Sequence, residues 1–180
     1  MKLHTQTLET SRLLLRPFQH TDAVAMFNNW AGDPEVTKYV SWPTHPSEEA
    51  SAERIKFLIS QYDCGDTCDW AIVLKDIDTA IGSIGAVISN PSVKSVNIGY
   101  AIGKKWWHRG ITTEALQAVL NFLFEECDVN RVEAWHDTRN PNSGKVMQKC
   151  GMKFEGIHRS ADEDNMGICD VAWYGLLKQD

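Results

Sequence analysis

The amino-acid sequence predicts an α/β (α+β) fold, a single mixed central sheet of about seven strands flanked by about four helices. Three observations carry that reading. Short apolar runs bounded by Gly, Pro, Asn and Asp alternate with segments whose apolar residues recur at helical spacing. A strand, a long helix and a second strand follow one another from Val96 to Trp135, the order of a right-handed parallel crossover. The 180 residues contain no repeat, low-complexity tract or interdomain linker, so residues 1–180 read as one domain.

The elements follow in the order β α α β β β α β α β β. Leu13, Leu14 and Leu15 form a short opening strand, which Pro17 limits. Asp22 can cap a helix to about Asn29, which Gly32, Asp33 and Pro34 break. Trp42 to Ser47 is a loop, and Thr44 or Ser47 caps a second helix with Glu48 and Glu49 in its first turn. Ile55, Leu58, Ile59 and Tyr62 face the core from that helix. Trp70 to Leu74 and Ile81 to Ile88 form a hairpin about Asp76–Thr79, and Val96 to Ile102 is the fourth strand. From Thr112 to about Glu126 the residues Ala115, Leu116, Val119, Leu120, Phe122 and Leu123 fall on one helical stripe. Arg131 to Trp135 is the fifth strand. A short helix from Asn140 to Cys150 ends at Gly151, where a left-handed cap is wanted. Met152 to His158 and Cys169 to Leu177 close the sheet.

Apolar residues make up 43% and charged residues 23%, the balance of a folded chain rather than a disordered one. The formal net charge of -6 lacks the Lys and Arg excess that binding to a phosphate backbone requires, which argues against nucleic acid as a partner. It suits a cationic substrate, or simply solubility. The five cysteines, Cys64, Cys68, Cys127, Cys150 and Cys169, are odd in number and contain no CxxC pair, so reduced thiols in a reducing compartment are expected. Cys64 and Cys68 with Asp63, Asp66 and Asp69 match no zinc spacing and read as a polar loop; no metal is expected. Met1 to Thr7 has no apolar signal core, and no run approaches the ~18 apolar residues of a membrane span. A cytoplasmic location without a membrane partner follows as the expectation.

The stretch richest in chemistry is His108-Arg109-Gly110-Ile111-Thr112-Thr113, between the fourth strand and the long helix. A helix N-terminus offers unpaired N–H groups and partial positive charge to phosphates. Gly110 permits close approach of the backbone, His108 and Arg109 add positive charge, and the threonine hydroxyls can donate. The loop is neither a Walker loop nor a dinucleotide fingerprint, and a glycine before a helix is common by itself. A second element stands about thirty residues on: Asn140-Pro141-Asn142-Ser143-Gly144-Lys145-Val146-Met147-Gln148-Lys149-Cys150-Gly151.

With these two elements in order, the chain resembles the GNAT superfamily of N-acetyltransferases, and within it the bacterial ribosomal-protein N-terminal acetyltransferases of the RimJ/RimL type. Thr10-Ser11-Arg12-Leu13-Leu14-Leu15-Arg16-Pro17-Phe18 resembles that group's opening strand and Ile98-Gly99-Tyr100-Ala101-Ile102 its fourth strand. Trp107 to Ala115 resembles its coenzyme loop. Asn140, Ser143, Lys149 and Gly151 resemble its Asn-x-x-Ser…Lys-x-Gly pattern, and Glu155-Gly156…Arg159 and Asp170…Tyr174…Leu177 its closing strands. The resemblance implies acetyl-CoA as co-substrate and a fourth strand splayed from the fifth near Ile102, where the pantetheine arm pairs with exposed backbone. It implies pyrophosphate binding by the amides of His108, Arg109, Gly110, Ile111, Thr112 and Thr113. Asn140 and Lys149 belong to the same coenzyme site, and Ser143 lies near the thioester sulfur. Two positions depart from the pattern. Thr112 stands where Gly or Ala is usual, and Asn97 stands where many relatives carry Glu, which leaves the proton acceptor unassigned.

Acetyl transfer to an amine needs a proton acceptor, an oxyanion donor, a donor to the leaving thiolate and two substrates held together. A backbone N–H of Ala101 or Ile102 is the expected oxyanion donor, and the Ser143 hydroxyl the expected catalytic donor to sulfur. Asp137, His136 and Glu133 are candidate bases. Tyr39, Trp42 and Trp135 can line the acceptor groove or simply pack, and Lys104 and Lys105 can meet a 3′-phosphate or stand in solvent. The expected acceptor is a protein N-terminal α-amino group, taken by direct attack in a ternary complex. A small amine such as a polyamine or antibiotic is the rival, and a non-catalytic acyl-CoA sensor a third reading. Acceptor choice lies in the loops Ala31–Pro46 and Ser160–Ile168. The exposed faces of the terminal strands can pair subunits into a homodimer.

Overall fold

The computed structural model describes residues 1–180. It contains one sheet of eight strands, in the spatial order β1-β2-β3-β4-β5-β6-β8-β7. The strands are β1 (Leu8–Glu9), β2 (Leu13–Arg16), β3 (Thr67–Leu74), β4 (Thr79–Asn90), β5 (Ser95–Ile102), β6 (Arg131–Asp137), β7 (Lys153–Asp164) and β8 (Gly167–Leu177). The helices are α1 (Ala23–Met26), α2 (Pro34–Thr37), α3 (Glu48–Gln61), α4 (Ile111–Glu125) and α5 (Pro141–Lys149). Every strand pair is antiparallel except β5 with β6, which are parallel and joined through α4 as the sequence predicts.

The expected sheet of seven strands gains one member. Leu8–Glu9 pairs with Leu14 and Leu15, a two-residue strand too short to show alternation in sequence. The expected helix from Asp22 to Asn29 is instead a 3₁₀ turn (His20–Asp22), α1 and a π-helical turn (Phe27–Ala31) that buries Trp30 and Ala31. Asp33 does more than break it: its carboxylate accepts from Glu35 N and starts α2, with Pro34 in the first turn. Cys68 and Asp69 lie not in a polar loop but on β3, which begins three residues before Trp70.

The sheet divides the core. On one face Leu13, Leu15, Trp70, Ile72, Ile84 and Ile98 pack against the stripe of α4 and against α5. On the other, Ala71, Val73 and Ala80 pack against Phe18, Met26, Trp30, Ile55 and Leu58 of the α1 and α3 region. That second face also carries a row of small side chains set by register, Asp69 beside Gly85 beside Gly99 and Ala71 beside Ser83 beside Ala101. With little side chain above them, the central strands there leave space rather than core.

Candidate active site

The site begins where two strands part. β5 and β6 pair only through Ser95–Asn97 and Arg131–Glu133, while β6 continues along β8 from Arg131 to Asp137. The Asn97 amide donates to the Glu133 carbonyl at 3.2 Å and closes the fork. The opening therefore starts just beyond Asn97, earlier in the strand than Ile102. Gly103 N donates to Ile81 O at 2.9 Å, with Ile102 opposite Gly82. By antiparallel alternation, the Ala101 N–H turns toward β4, and the N–H groups of Tyr100 and Ile102 face the slot. Of the two expected oxyanion donors, only Ile102 looks into the opening. Its carbonyl accepts the Trp107 indole N–H at 2.8 Å, which fixes the chain leaving β5.

That chain forms the turn before α4. His108 has φ 60 and Gly110 φ 70, left-handed values that glycine adopts without the Cβ penalty. Consecutive N–H groups from His108 to Thr113 have no acceptor in the chain; the first helical bond of the segment is Glu114 N to Gly110 O at 3.1 Å. Unpaired donors converging at the N-terminus of a fifteen-residue helix are what a pyrophosphate needs, so the residues fit that group. The turn is braced from outside. Glu114 accepts from the Thr10 hydroxyl at 2.6 Å and from Arg12 Nε at 2.7 Å, and Arg12 also donates to the Arg109 carbonyl at 2.9 Å. Burial pushes the Glu114 carboxyl up, but the hydrogen bonds from Thr10, Arg12 and Ser11 outweigh it and hold the group below its ordinary value.

A groove of about 310 Å³ runs from this turn to the slot. His108, Gly110, Ile111, Thr112, Thr113, Ala101, Ile102, Asn140, Ser143 and Lys149 all line it, joined by Lys145, which sequence reasoning did not single out. Arg109 does not line it, and its carbonyl accepts from Arg12. Lys104 lies 3.5 Å from Glu35, and Lys105 sits over the Trp106 ring; neither lines the groove. At the slot the Tyr100 hydroxyl is 3.0 Å from the Ser143 carbonyl and 3.1 Å from Ser143 Oγ. Burial raises the Tyr100 phenol well above its usual range, so it stays a neutral donor. Donating to the carbonyl leaves its oxygen as a resting acceptor for the Ser143 O–H.

Beyond the slot, on the α3 side, lies a cavity of about 830 Å³. Tyr100, Ala101, Asn140 and Ser143 line both spaces, so they meet at that point. Tyr39, Trp42 and Trp135 line this cavity. Its roof is the loop after α2, pinned by the tip of the β7–β8 hairpin: Asn165 Nδ2 donates to the carbonyls of Thr37 at 2.8 Å and Trp42 at 2.9 Å. One wall carries Asp137, Asp164 and Cys169, whose side-chain heteroatoms lie within 4.8 Å of one another. The Arg139 guanidinium already supplies their counter-charge, donating to Asp137 at 2.7 Å and to Asp164 at 3.3 Å.

Of the three candidate bases, two are paired with arginines. Glu133 is held by Arg131 Nε at 2.8 Å. Burial pushes Asp137 up, yet its bonds to Arg139 keep it below its ordinary value and ionised. His136 Nδ1 lies 2.7 Å from the Asp137 carbonyl and so carries the proton; Nε2 is buried without a partner under Gly144.

Residues 12–153 match the family model described as an acetyltransferase (GNAT) domain. The N-acetyltransferase p20 of Bacillus licheniformis is 29% identical over 97% of this chain and 98% of its own length. The ribosomal-protein-S5-alanine acetyltransferase of Vibrio fischeri superposes with a TM-score of 0.86 at 19% identity, over 97% of this chain and 98% of that one. RimL, a ribosomal alpha-N-protein acetyltransferase in complex with coenzyme A, superposes with a TM-score of 0.85 at 19% identity, over 96% and 98%.

Proposed function

The chain belongs to the GNAT family of acetyl-CoA-dependent N-acetyltransferases, and from that premise we propose that its acceptor is the α-amino group of a protein or peptide N-terminus. The observation that carries the reading is the cavity of about 830 Å³ that meets the coenzyme groove at Tyr100 and Ser143. That volume lies near the upper end of small-ligand sites, room for several residues of a peptide. Two structural neighbours are named for acetylation of ribosomal proteins, which supports the same class. An α-amino group, with a pKa of roughly 8, also needs less help to lose its proton than a lysine near 10.4.

When bound, acetyl-CoA supplies an activated acetyl group and a thiolate leaving group. The amides of His108 and of Gly110 to Thr113 would hold its pyrophosphate, Lys145 and Lys149 would add positive charge along the groove, and Asn140 would contact the pantetheine or the phosphates. The Ile102 N–H, which faces the slot, would donate to the thioester carbonyl oxygen as it gains charge. The Ser143 hydroxyl, released from its rest on Tyr100, would donate to the leaving sulfur.

A small amine is the second reading, and one observation favours it. Asn165 ties the roof to the hairpin tip, which narrows the entry that a whole protein must thread. A thiol-release assay with acetyl-CoA decides between them. Peptides with free N-termini are expected to turn over, and the same peptides with blocked N-termini and internal lysines are not. Turnover confined to polyamines or other small amines overturns the peptide assignment.

A further inference from the structure

Asp69 stands on the floor of the acceptor cavity with no assigned task. It lies on β3, directly opposite Gly85 of β4, which is itself opposite Gly99 of β5. Its side chain crosses the first glycine: a methyl at Gly85 would collide with Asp69 Oδ1, whereas a methyl at Gly99 would meet nothing within 4 Å. Two missing side chains thus make an open lane from the carboxylate to β5, two residues from Ala101. Adjacent strands are about 4.8 Å apart and two residues advance about 7 Å along a strand, so a carboxylate lying over β4 is roughly 8 Å from β5 at Ala101, a distance that about two waters span.

The backbone of Asp69 is occupied: its N–H donates to Thr5 Oγ1 at 3.1 Å and its carbonyl accepts from Tyr62 O–H at 3.1 Å. Its carboxylate makes no hydrogen bond and no ion pair with the rest of the chain, and its oxygens are not among the fully buried polar atoms. They look into the cavity. The groups around it are few. Arg54 of α3 is the charged one that opposes it, Tyr62 stands beyond the end of that helix, and Cys68 adjoins on the strand. Thr67, Ser83, Val87 and Asn97 share its face and carry no charge. Burial lifts the carboxyl to about 6, against the pull of Arg54. An unpartnered carboxylate half sealed in a cleft is unfavourable for folding and common at catalytic positions.

We propose that Asp69 is the proton acceptor for the incoming amine, reached through water along the lane over Gly85 and Gly99. At the fork itself Asn97 offers no proton acceptor of this kind, its amide being spent on the Glu133 carbonyl. The amine arrives as an ammonium and loses one N–H proton to Asp69, leaving its lone pair for attack; Asp69 passes that proton to solvent. The second N–H proton leaves as the new C–N bond forms, and it balances the proton that the released thiol carries. The inference rests on amine acetylation in this cavity and holds for a peptide or a small amine alike.

The test uses Asp69→Asn in the full chain beside the parent. Turnover at pH 7 is expected to fall by about 10²–10⁴-fold, with coenzyme A affinity, read by calorimetry, unchanged. The acid limb near pH 6 in kcat/KM disappears, and the deficit narrows as the pH rises past the pKa of the free amine, ~8 for an α-amino group. Carboxyl NMR of the parent, which needs neither a variant nor an acceptor, is expected to show one aspartate titrating near 6 that is missing in Asp69→Asn. Turnover within about threefold of the parent with the acid limb kept, or an Asp69 carboxyl titrating near its ordinary value, overturns the proposal. A parent that acetylates only small amines refutes the peptide assignment instead, and the same profiles run on that amine still decide for or against Asp69.

Discussion

A carboxylate without a partner has a consequence for folding as well as for catalysis. The folded value of Asp69, about 6, lies above the ordinary 3.8. The native chain therefore binds its proton more tightly than the unfolded chain does. The stability from this group is fully present below about pH 4 and is lost as the pH rises through 6. Above pH 7 the ionised form costs roughly 2 kcal/mol, allowing for the water that reaches it. Asp69→Asn is thus expected to raise Tm at pH 8 while leaving it nearly unchanged at pH 4, read by thermal denaturation at the two values; equal shifts at both would show that packing, not charge, sets the difference. Ser143 gives the opposite signature. Its hydroxyl rests on Tyr100 and faces the join of two cavities, so Ser143→Ala should lower kcat by about 10–100-fold and leave coenzyme affinity within about threefold. A parent-like kcat would remove the thiolate-donor role.

Elements matter here through their ends. The turn before α4 holds its N–H groups free only because Gly110 adopts φ 70 and because Arg12 and Glu114 clamp it from the β2 side. Gly110→Asp adds strain of about 1–2 kcal/mol from the left-handed backbone and sets a carboxylate against phosphate. Coenzyme A affinity is expected to fall by more than about tenfold, by calorimetry on a variant with a native circular dichroism spectrum; unchanged affinity would refute the loop assignment. Much of this was legible in the sequence. The α4 stripe, the Gly151 cap and the β5–α4–β6 crossover are local patterns, and the coenzyme loop with Asn140 and Ser143 is a spaced motif. The brace was not, since Arg12 and Glu114 are 102 residues apart and only the packing of α4 beside β2 brings them together. Nor was Asp69: beside Cys68 and Asp66 it reads as loop, and only strand register sets it over two glycines. The N-terminal helix fails for a related reason. Its apolar residues fit a helical face, but burying Trp30 selects a π-turn over a regular ending.

The whole molecule joins its two acceptor-side segments by hydrogen bonds from Asn165 and by Arg139, which lies over Tyr39 and donates to Asp164. Asn165, at the tip of the β7–β8 hairpin, donates to carbonyls of Thr37 and Trp42, 128 and 123 positions earlier. Below it Arg139 ties the β6 end to Asp164 at the base of the same tip. The loop from Lys38 to Pro46 is held at its far end by His45, whose backbone N–H donates to Ala31 O and whose ring meets Ser51, while Trp42 packs on the α1–α3 core only in part. Such a segment opens at low free energy unless bonded elsewhere. Asn165→Ala removes the donor but no core contact, so global Tm should move by less than about 1 kcal/mol would imply, because the freed carbonyls can turn to water. Amide hydrogen exchange in residues 38–46 should accelerate well beyond that of β3 and β4. KM then separates the two acceptor readings. If the strap excludes bulk, peptide acceptors gain most from its loss while small amines change little. If it positions the N-terminal residue, KM for peptides rises instead. Parent-like exchange in the loop would show that the roof is held by its own packing, and that the hairpin tip does not govern entry.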